Sequence, residues 1–271
     1  MEFSVLMSLY KNEKPEYLKE AIDSIIGQTL MPNEIVIVKD GELTIELENT
    51  LNEYSEQYQS IFKFVVLKKN VGLGLALREG VKACSNDIIA RMDSDDIAHC
   101  ERFRKQIDFM KSNPHITIVG TNVLDFDKTI KNVVSRRIFP ESNNDIIKFS
   151  KRRCPFLHPS IVFKKQAVLE IGNYEHLLWF EDYYIFLKLL SRGYQGHNIQ
   201  ENLLYFRSND NMFQRRGGIN YLRQELRALT IFYKQGYYNF FYFITNLLVR
   251  SSVRVLGNKF RKIFYNKLLR S

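Results

Sequence analysis

Cysteine is scarce in this 271-residue chain, and the three that occur are not spaced for a disulfide framework or a zinc site. Cys84, Cys100 and Cys154 are far apart, and no C-x-x-C pair is present. A short apolar run at the N-terminus is soon broken by charges, so it lacks the plan of a secretory signal. We therefore expect a globular protein of a reducing compartment.

Acidic residues are almost absent from the end of the chain. Between residues 221 and 271 we count ten Lys or Arg and one acid, Glu225, so this segment carries the whole formal net charge of +9 and the preceding residues sum to zero. A neutral body with a basic tail makes nucleic acid a poor candidate partner for the whole chain.

Glycine-rich phosphate-binding signatures are also missing. The loop Lys69-Asn70-Val71-Gly72 is neither G-x-G-x-x-G nor a Walker A segment. The sequence therefore gives poor support to an NAD site or a P-loop, and taken alone this loop reads as a tight turn.

Short apolar segments alternate with amphipathic ones along the first half of the chain. We predict strands over 3–9, 34–41, 62–67 and 88–90, with helices between them and with Met92 still in the interior. The continuous apolar runs suit strands that are covered on both faces. This order predicts an α/β protein with a doubly wound, Rossmann-like parallel sheet.

Polar residues stand at the end of each of these four strands: Ser8 and Tyr10, Asp40, Asn70 with Gly72, and Asp93 with Asp95. In such sheets ligands bind outside the carboxyl ends of the strands. We therefore expect these residues to line one binding site.

The stretch 87–96, DIIARMDSDD, runs from a buried strand into three carboxylates, Asp93, Asp95 and Asp96. Like charges this close repel and raise one another's pKa. A divalent cation with oxygen ligands, Mg²⁺ or Mn²⁺, would offset that repulsion. The alternative is that Asp93 or Asp96 caps the helix predicted to begin near Glu101, or lies in a turn.

Beyond a helix over 101–111 and a strand over 116–126, the simple alternation ends. The segment 131–153 is basic and irregular, and His158 precedes a short strand, where a lone histidine is more often structural than functional. Glu181 and Asp182 begin a strongly apolar helix. The helix dipole alone accounts for two acids there, whereas burial would raise a carboxylate pKa toward that of a general base. Position does not separate these interpretations.

From Gly236 onward the tail mixes aromatic residues and leucine with basic residues and contains no acid. Its longest uncharged run, 236–249, has 14 residues and is too short to cross a bilayer. We predict an amphipathic, cationic helix that lies on an anionic membrane. The alternative is a helical cap packed on the body.

Taken together, these segments resemble the family 2 glycosyltransferases. The motifs that carry the resemblance follow the family's order: Val38-Lys39-Asp40-Gly41, Asn70-x-Gly72, Met92-Asp93-Ser94-Asp95-Asp96, His158-Pro159-Ser160 and Glu181-Asp182-Tyr183. The resemblance covers about residues 3–208 and implies an inverting enzyme of the GT-A fold that uses nucleotide-diphosphate sugars. Residues 90–114 and the HPS segment resemble most the bacterial enzymes that build O-antigen or capsule units, including β-1,3-galactosyltransferases.

On the donor side, the resemblance implies that Asp40 meets the uracil, that Asp93 lies near the ribose and that Asp95 binds the Mn²⁺ or Mg²⁺ ion that bridges the two phosphates. The other donor-side residues that it implies are Ser8, Tyr10, Asn70, Gly72, Arg78 and Ser94.

On the acceptor side, the resemblance implies Asp182 as general base with Glu181 beside it. Further acceptor or sugar contacts would come from His158, Trp179 and Arg207. The chain departs from the family pattern at Lys39, where a small or acidic residue is frequent, and at Asn209, where a histidine is frequent. The second departure bears on the acceptor side.

These implications give a metal-dependent, inverting transferase. It would move a hexose, galactose first, from a UDP-sugar to a lipid-linked or oligosaccharide acceptor in bacterial surface polysaccharide synthesis. One base and one metal suffice for that chemistry, whereas the two-carboxylate plan of glycoside hydrolysis fits worse. The alternatives are a UDP-glucose or UDP-GlcNAc transferase of the same pathway class, or a non-catalytic nucleotide-binding scaffold with the same fold.

We place the glycosyltransferase domain at 1–215, with a nucleotide-sugar half over 1–127 and an acceptor half over 128–215, followed by a helical basic extension at 216–271. The expected location is cytoplasmic and peripheral, on the inner face of the bacterial plasma membrane. A lipid-linked acceptor would lie there, on an anionic surface that attracts the basic tail.

Overall fold

The computed structural model describes residues 1–208 and 218–255. The first half of the chain forms four parallel strands, β1 (Phe3–Leu9), β2 (Glu34–Asp40), β3 (Phe62–Leu67) and β4 (Ile88–Met92), in the spatial order β3-β2-β1-β4. The helices α1 (Pro15–Ile26), α2 (Ile45–Gln57) and α3 (Leu73–Ala83) connect them. The predicted alternation of strands and helices is therefore confirmed.

Local signals in the sequence set the ends of these helices. Pro15 occupies the first turn of α1, where its missing N–H is not needed, and Gly27 follows the last residue of that helix. The Thr44 side chain accepts a hydrogen bond from the Leu47 N–H at 3.4 Å and so caps α2.

Alternate residues of the central strands enter two separate cores, one on each face of the sheet. Met7 and Ile37 belong to the core that also contains residues of α1 and α2. Leu6 and Val36, their neighbours in sequence, belong to the core that contains residues of α3. Burial on both faces explains why β1 and β2 are continuous apolar runs.

The second half of the sheet contains both parallel and antiparallel strands. Its elements are β5 (Ile97–Ala98), α4 (Arg102–Ser112), β6 (Ile116–Phe126), β7 (Val133–Arg137), α5 (Asn143–Ser150), a 3₁₀ turn (His158–Ser160), β8 (Val162–Lys164), α6 (Lys165–Glu170), α7 (Glu181–Ser191) and β9 (Gln195–Arg207). The order continues from β4 through β8, β6 and β9 to β5, with β7 on β6. Strand β8 runs antiparallel to both β4 and β6, while β9 is parallel to β6.

Two helices follow at the carboxyl end, α8 (Gly218–Lys234) and α9 (Phe240–Val255). Helix α8 packs on α7 through a third apolar cluster, in which Tyr183 and Tyr184 of α7 meet Leu229 and Phe232 of α8. The beginning of the predicted extension therefore shares a core with the body. The predicted boundary between residues 215 and 216, and Asn209, lie outside the described residues.

Helix α9 is attached to the body by polar contacts along its inner face. Arg250 forms an ion pair with Glu225 at 3.0 Å and donates to the Arg152 carbonyl at 2.7 Å. Asn246 donates to the Lys151 carbonyl at 2.8 Å. Arg250, one of the ten basic residues counted in the tail, thus points inward and is not available to a membrane.

The outer face of α9 remains exposed and apolar. Phe240, Phe241, Leu248 and Val249 have between 58 and 65% of their surface accessible. Packing of the inner face supports the cap interpretation, whereas the outer face has the character that membrane contact requires. The five basic residues after position 255 lie outside the described residues.

Across 1–208 and 218–255, none of the helices combines the length and the hydropathy that a membrane crossing requires.

Candidate functional site

The carboxyl ends of β1 to β4 meet at one edge of the sheet, as the sequence predicted. The strands run parallel in register, so that Ser8 pairs with Val38 and Asp40 with Leu67. The two oxygens of the Asp40 carboxylate accept the backbone N–H groups of Val71 and Gly72 at 2.7 and 3.1 Å. The carboxyl end of β2 therefore holds the loop that follows β3.

A cavity of about 250 Å³ opens at this edge. Its lining residues are Lys11, Asp40, Gly41, Glu42, Leu43, Thr44 and Asn70. Gly41 has φ of 87°, and a Cβ atom at this position would lie 2.7 Å from the Asn70 backbone nitrogen. Only glycine permits both the left-handed backbone and the close approach of the two loops.

The other predicted donor-side residues differ in their exposure. Tyr10 is 39% exposed and Ser8 is half-buried. Arg78 lies partly exposed on α3, and its backbone carbonyl accepts a hydrogen bond from Asn173 at 3.1 Å. Ser94 is buried, and its hydroxyl donates to Glu13 at 2.6 Å. Direct ligand contacts of these four side chains remain predictions.

Three carboxylates cluster directly after β4. Oxygen atoms of Asp93, Asp95 and Asp96 lie within 4.8 Å of one another. Burial, together with the charges of Asp93 and Glu13, raises the pKa of Asp95 to about 7. Burial and the charges of Asp95 and Asp93 raise the pKa of Asp96 well above its usual range. The repulsion that the sequence predicted is therefore present.

The residues present fit a divalent cation. One carboxylate oxygen, Asp96 Oδ2, is buried and has no hydrogen-bond partner among the described residues. Hard oxygen ligands at this spacing suit Mn²⁺ or Mg²⁺. The alternative that Asp93 or Asp96 caps α4 is wrong, because the residue at the cap is Glu101 and Asp96 Oδ1 accepts the Arg207 N–H at 2.8 Å.

Arg207 stabilises the loop that carries Asp93, Asp95 and Asp96. Its Nε donates to the Asp95 carbonyl at 2.8 Å, its Nη2 pairs with Glu20, and its guanidinium lies 4.0 Å from the centre of the Tyr17 ring. Only 5% of the residue is exposed. These contacts belong to the framework of the site, and a direct contact of Arg207 with an acceptor remains a prediction.

His158 lies behind the site rather than on its surface. It is buried, its Nε2 is 2.8 Å from the Tyr174 hydroxyl, and it packs against Phe186. Burial and the nearby Arg91 hold the pKa of His158 well below its usual range, so the imidazole is neutral. These contacts agree with the structural interpretation of a lone histidine.

The pair Glu181–Asp182 begins α7 on the other side of the cleft. Asp182 Oδ1 accepts the Tyr183 N–H at 2.6 Å. Burial and the charge of Asp182 raise the pKa of Glu181 to about 7, and Asp93 acts in the same direction. The carboxylates of Asp93 and Glu181 therefore interact electrostatically.

A close contact between α3 and α7 fixes the width of that cleft. A Cβ atom on Gly74, in the first turn of α3, would lie 2.7 Å from the Glu175 carbonyl oxygen and 3.2 Å from Glu181 Cβ. Glycine at position 74 therefore lets the helix that follows the donor loop touch the segment that carries the acids.

Trp179 precedes these acids in a strained conformation. Its φ is 68°, it is 41% exposed, and its ring stacks on Tyr221 of α8 with centroids 5.0 Å apart and an interplanar angle of 21°. Backbone strain of this kind is concentrated at ligand-binding positions. The predicted acceptor contact of Trp179 remains a prediction. Because Tyr221 stacks on Trp179, helix α8 lies next to this position.

Sequence reasoning missed four residues of the site: Lys11, Glu13, Arg91 and Tyr221. Lys11 and Glu13 follow β1 immediately, so their position in a strand-end loop was a usable signal. Arg91 lies inside an apolar strand, where an arginine is itself unusual. Tyr221 carries no local signal, because only tertiary packing brings it to Trp179.

The carboxyl edge of the sheet has a cavity of about 250 Å³ lined by Asp40 and Asn70, and three carboxylates that suit a cation follow β4. Both features are typical of an enzyme that transfers a group from a nucleotide. The chain belongs to the glycosyl transferase family 2, whose sequence model matches residues 4–177. The protein is a glycosyltransferase, and the resemblance drawn from the sequence is confirmed.

Two similar proteins extend over the whole chain. A UDP-Gal:alpha-D-GlcNAc-diphosphoundecaprenol beta-1,3-galactosyltransferase of Escherichia coli is 38% identical over 271 residues, which are 99% of this chain and 97% of that protein. The amylovoran biosynthesis glycosyltransferase AmsE of Erwinia amylovora is 36% identical and covers 98% of each chain.

Among solved structures, the mannosyltransferase PcManGT of Pyrobaculum calidifontis in complex with GDP-Man and Mn²⁺ superposes with a TM-score of 0.65. It is 14% identical, and the match covers 96% of this chain and 71% of that one. The fold is therefore the GT-A fold, as predicted.

Proposed function

We propose that this enzyme transfers galactose, with inversion, from UDP-galactose to the sugar of a lipid-linked acceptor during synthesis of a bacterial surface polysaccharide. The observation that carries the proposal is the cluster of carboxylates Asp93, Asp95 and Asp96 after β4, together with the effect of the Asp93 charge on the pKa of Glu181 at the start of α7. The choice of galactose and of a diphospholipid acceptor is supported by the activity in the name of the Escherichia coli relative.

The donor side would bind the nucleotide through the strand ends. The cavity at Asp40, Asn70 and Lys11 would receive the uracil and ribose, since it lies at the carboxyl edge where such sheets bind ligands. Asp93, Asp95 and Asp96 would hold a Mn²⁺ or Mg²⁺ ion, which when bound supplies a Lewis acid for the diphosphate.

On the acceptor side, Asp182 would act as general base. Its carboxylate takes the proton of the acceptor hydroxyl while that oxygen forms a bond to C1 of the sugar and the bond from C1 to the diphosphate oxygen breaks. Attack from the face opposite UDP inverts the configuration at C1. Glu181 lies beside the base, and Trp179 offers a partly exposed ring for the apolar face of a sugar.

The exposed face of α9 would hold the enzyme at the cytoplasmic side of the plasma membrane, where a lipid-linked acceptor diffuses. Phe240, Phe241, Leu248 and Val249 supply apolar surface for that contact. The exposed Arg223, Arg227 and Lys234 of α8 add positive charge for an anionic leaflet.

A donor screen tests the function. Purified enzyme with Mn²⁺ is offered UDP-galactose, UDP-glucose, UDP-GlcNAc and UDP-GalNAc together with a GlcNAc-diphospholipid analogue, and we expect transfer from UDP-galactose. Transfer from another donor would replace galactose in the proposal. UDP binding without transfer from any of the four would favour a non-catalytic scaffold.

Two substitutions separate the proposed roles. We expect Asp95→Asn to abolish transfer and Mn²⁺-dependent UDP binding, and Asp182→Asn to lower transfer by about 10² to 10⁴ with UDP binding retained. Asp108→Asn makes the same chemical change at an exposed position of α4 and should alter neither. Loss of UDP binding in Asp182→Asn would contradict the assignment of the base, and full activity in EDTA would remove the metal.

A further inference from the structure

Arg91 joins the buried interior to the donor side of the cleft. It lies on β4, two residues before Asp93, and its side chain is 1% exposed whereas that of Asp93 is 29% exposed. Arg91 Nη2 contacts Asp93 Oδ1 at 2.5 Å. One oxygen of the donor-side carboxylate is therefore tied to a fixed, buried cation.

Hydrogen bonding does not account for an arginine at this position. Arg91 Nε and Nη1 are buried and have no hydrogen-bond partner among the described residues. Leaving buried donors unsatisfied is costly, and more so when the group is charged. A lysine could satisfy one carboxylate, but burial would tend to neutralise it, whereas an arginine stays charged. An arginine at position 91 therefore keeps a permanent positive charge in contact with Asp93.

Arg102 offers a direct comparison, because it is also completely buried and lies nearby. Its Nε donates to Gln106 at 3.0 Å and its Nη2 donates to the Arg91 carbonyl at 2.8 Å. Among its described hydrogen bonds there is none to a carboxylate. Arg102 therefore holds backbone, while Arg91 holds an acid of the site.

We propose that Arg91 is a positioning residue, which fixes Asp93 through Oδ1 so that Oδ2 faces the ligand in one orientation. The inference rests on the proposed donor site, since Asp93 is one of the three carboxylates that would meet the metal and the nucleotide. Partners that orient a ligating carboxylate typically change metal affinity by 10- to 100-fold when removed.

A double-mutant cycle on UDP binding tests this inference. Calorimetry with UDP and Mn²⁺ compares wild type, Arg91→Met, Asp93→Asn and the double variant. We expect each single change to weaken binding by about 10-fold or more. The double variant should be no more than about threefold weaker than the weaker single variant, because both changes remove the same effect. Losses that multiply in the double variant would overturn the inference.

The matched control is Arg102→Met, alone and combined with Asp93→Asn. The free energy of unfolding measured in urea should fall by a similar amount in Arg102→Met and in Arg91→Met. Any loss of UDP affinity in Arg102→Met, however, should be independent of that in Asp93→Asn, so that the two fold-changes multiply in the double variant. A cycle for Arg102 as coupled as that for Arg91 would show a general packing effect and would also overturn the inference.

If Arg91→Met does not fold, the same cycle is run with Arg91→Lys, and the same two outcomes decide. If wild type binds no UDP, the donor proposal fails by itself. The cycle is then measured with Mn²⁺ alone, where coupled losses support the role of Arg91 and independent losses overturn it.

Discussion

At the scale of residues, Asp95, Asp96 and Glu181 have raised pKa values, because each is buried close to another acid. Glu181 shows the consequence most simply, since it lies outside the proposed metal ligands. Its pKa is about 7 in the fold against a usual 4.5, so the folded protein holds a proton that the unfolded chain has lost between these pH values. The contribution of Glu181 to the stability of the folded protein therefore decreases as pH rises.

We accordingly expect the free energy of unfolding of Glu181→Gln to increase, relative to that of wild type, as pH rises from 4.5 to 8. The gain should reach about 1 to 3 kcal/mol, because each unit of pKa difference corresponds to about 1.4 kcal/mol. Urea unfolding of the metal-free protein at several pH values measures it. The control is Glu56→Gln, an exposed acid on α2, whose difference from wild type should stay flat with pH. A flat difference for Glu181→Gln as well would contradict the burial of this carboxylate in the fold.

The ease of prediction also varied from residue to residue. Asp40, Asp93 and Asp95 were predicted as site residues because each lies at, or within three residues of, the end of a largely apolar strand. His158 was predicted from the resemblance to contact the acceptor or sugar, whereas its burial and its contact with Tyr174 agree with a structural role. Tyr221 could not be found in this way, because its contact with Trp179 joins segments that are remote in sequence. The only signal for Arg91 was a charged residue within a buried strand.

At the scale of elements, α9 has two faces with different tasks. Its inner face bonds to the body through Asn246 and Arg250, whereas Phe241 and Leu248 point outward. Each such side chain gains about 1.5 to 3 kcal/mol when it leaves water completely. If α9 lies on a lipid surface as proposed, these two side chains would supply a large part of the binding.

We expect Phe241→Ser combined with Leu248→Ser to lower retention on vesicles that contain anionic phospholipid by at least about 10-fold. Wild type should sediment with these vesicles in low salt and be released in high salt, because exposed charges are screened. Ile45→Ser with Val66→Ser alters two equally exposed apolar residues on α2 and β3 and should leave retention unchanged. Equal retention of the α9 variant would assign recruitment to the acceptor lipid or to a partner.

Most of the elements that the sequence predicted have many buried residues. Strands β1, β2 and β4 and helices α1 and α3 have long apolar patterns, and each was found in its place. Strand β3 was also predicted although none of its residues is fully buried, and the short strand predicted after His158 is β8. Strand β5 has two residues, which is too short for a periodic signal. Strand β7 is half-exposed and basic, so the segment 131–153 looked irregular although it contains β7 and α5.

At the scale of the whole molecule, the body and the first part of the extension form one folding unit. Glu225 of α8 is 1% exposed and pairs with Arg250 of α9, which in turn bonds to Arg152 of the body. Removing one partner of a buried ion pair leaves an uncompensated charge and costs about 3 to 5 kcal/mol. The pair therefore ties both helices to the catalytic domain.

We expect Arg250→Met to lower the free energy of unfolding by about 3 kcal/mol, and Glu225→Gln to restore part of it in the double variant. Trp179 is the sole tryptophan and stacks on α8, so its fluorescence should change in the same transition as the far-ultraviolet circular dichroism. Arg227→Met, at an exposed position of α8, should change stability by less than about 0.5 kcal/mol. Two separate transitions in wild type would instead show an independent extension.

The stacking of Tyr221 on Trp179 has a consequence for building hybrids between relatives. A crossover within 209–217 would join the loop and α7 of one parent to the α8 of another and so mismatch the two rings and the cluster around Phe232. A crossover before Leu177 transfers Trp179, the acid pair, β9 and both terminal helices as one block. If Trp179 and the acid pair contact the acceptor as proposed, a crossover at that point should exchange acceptor preference between relatives.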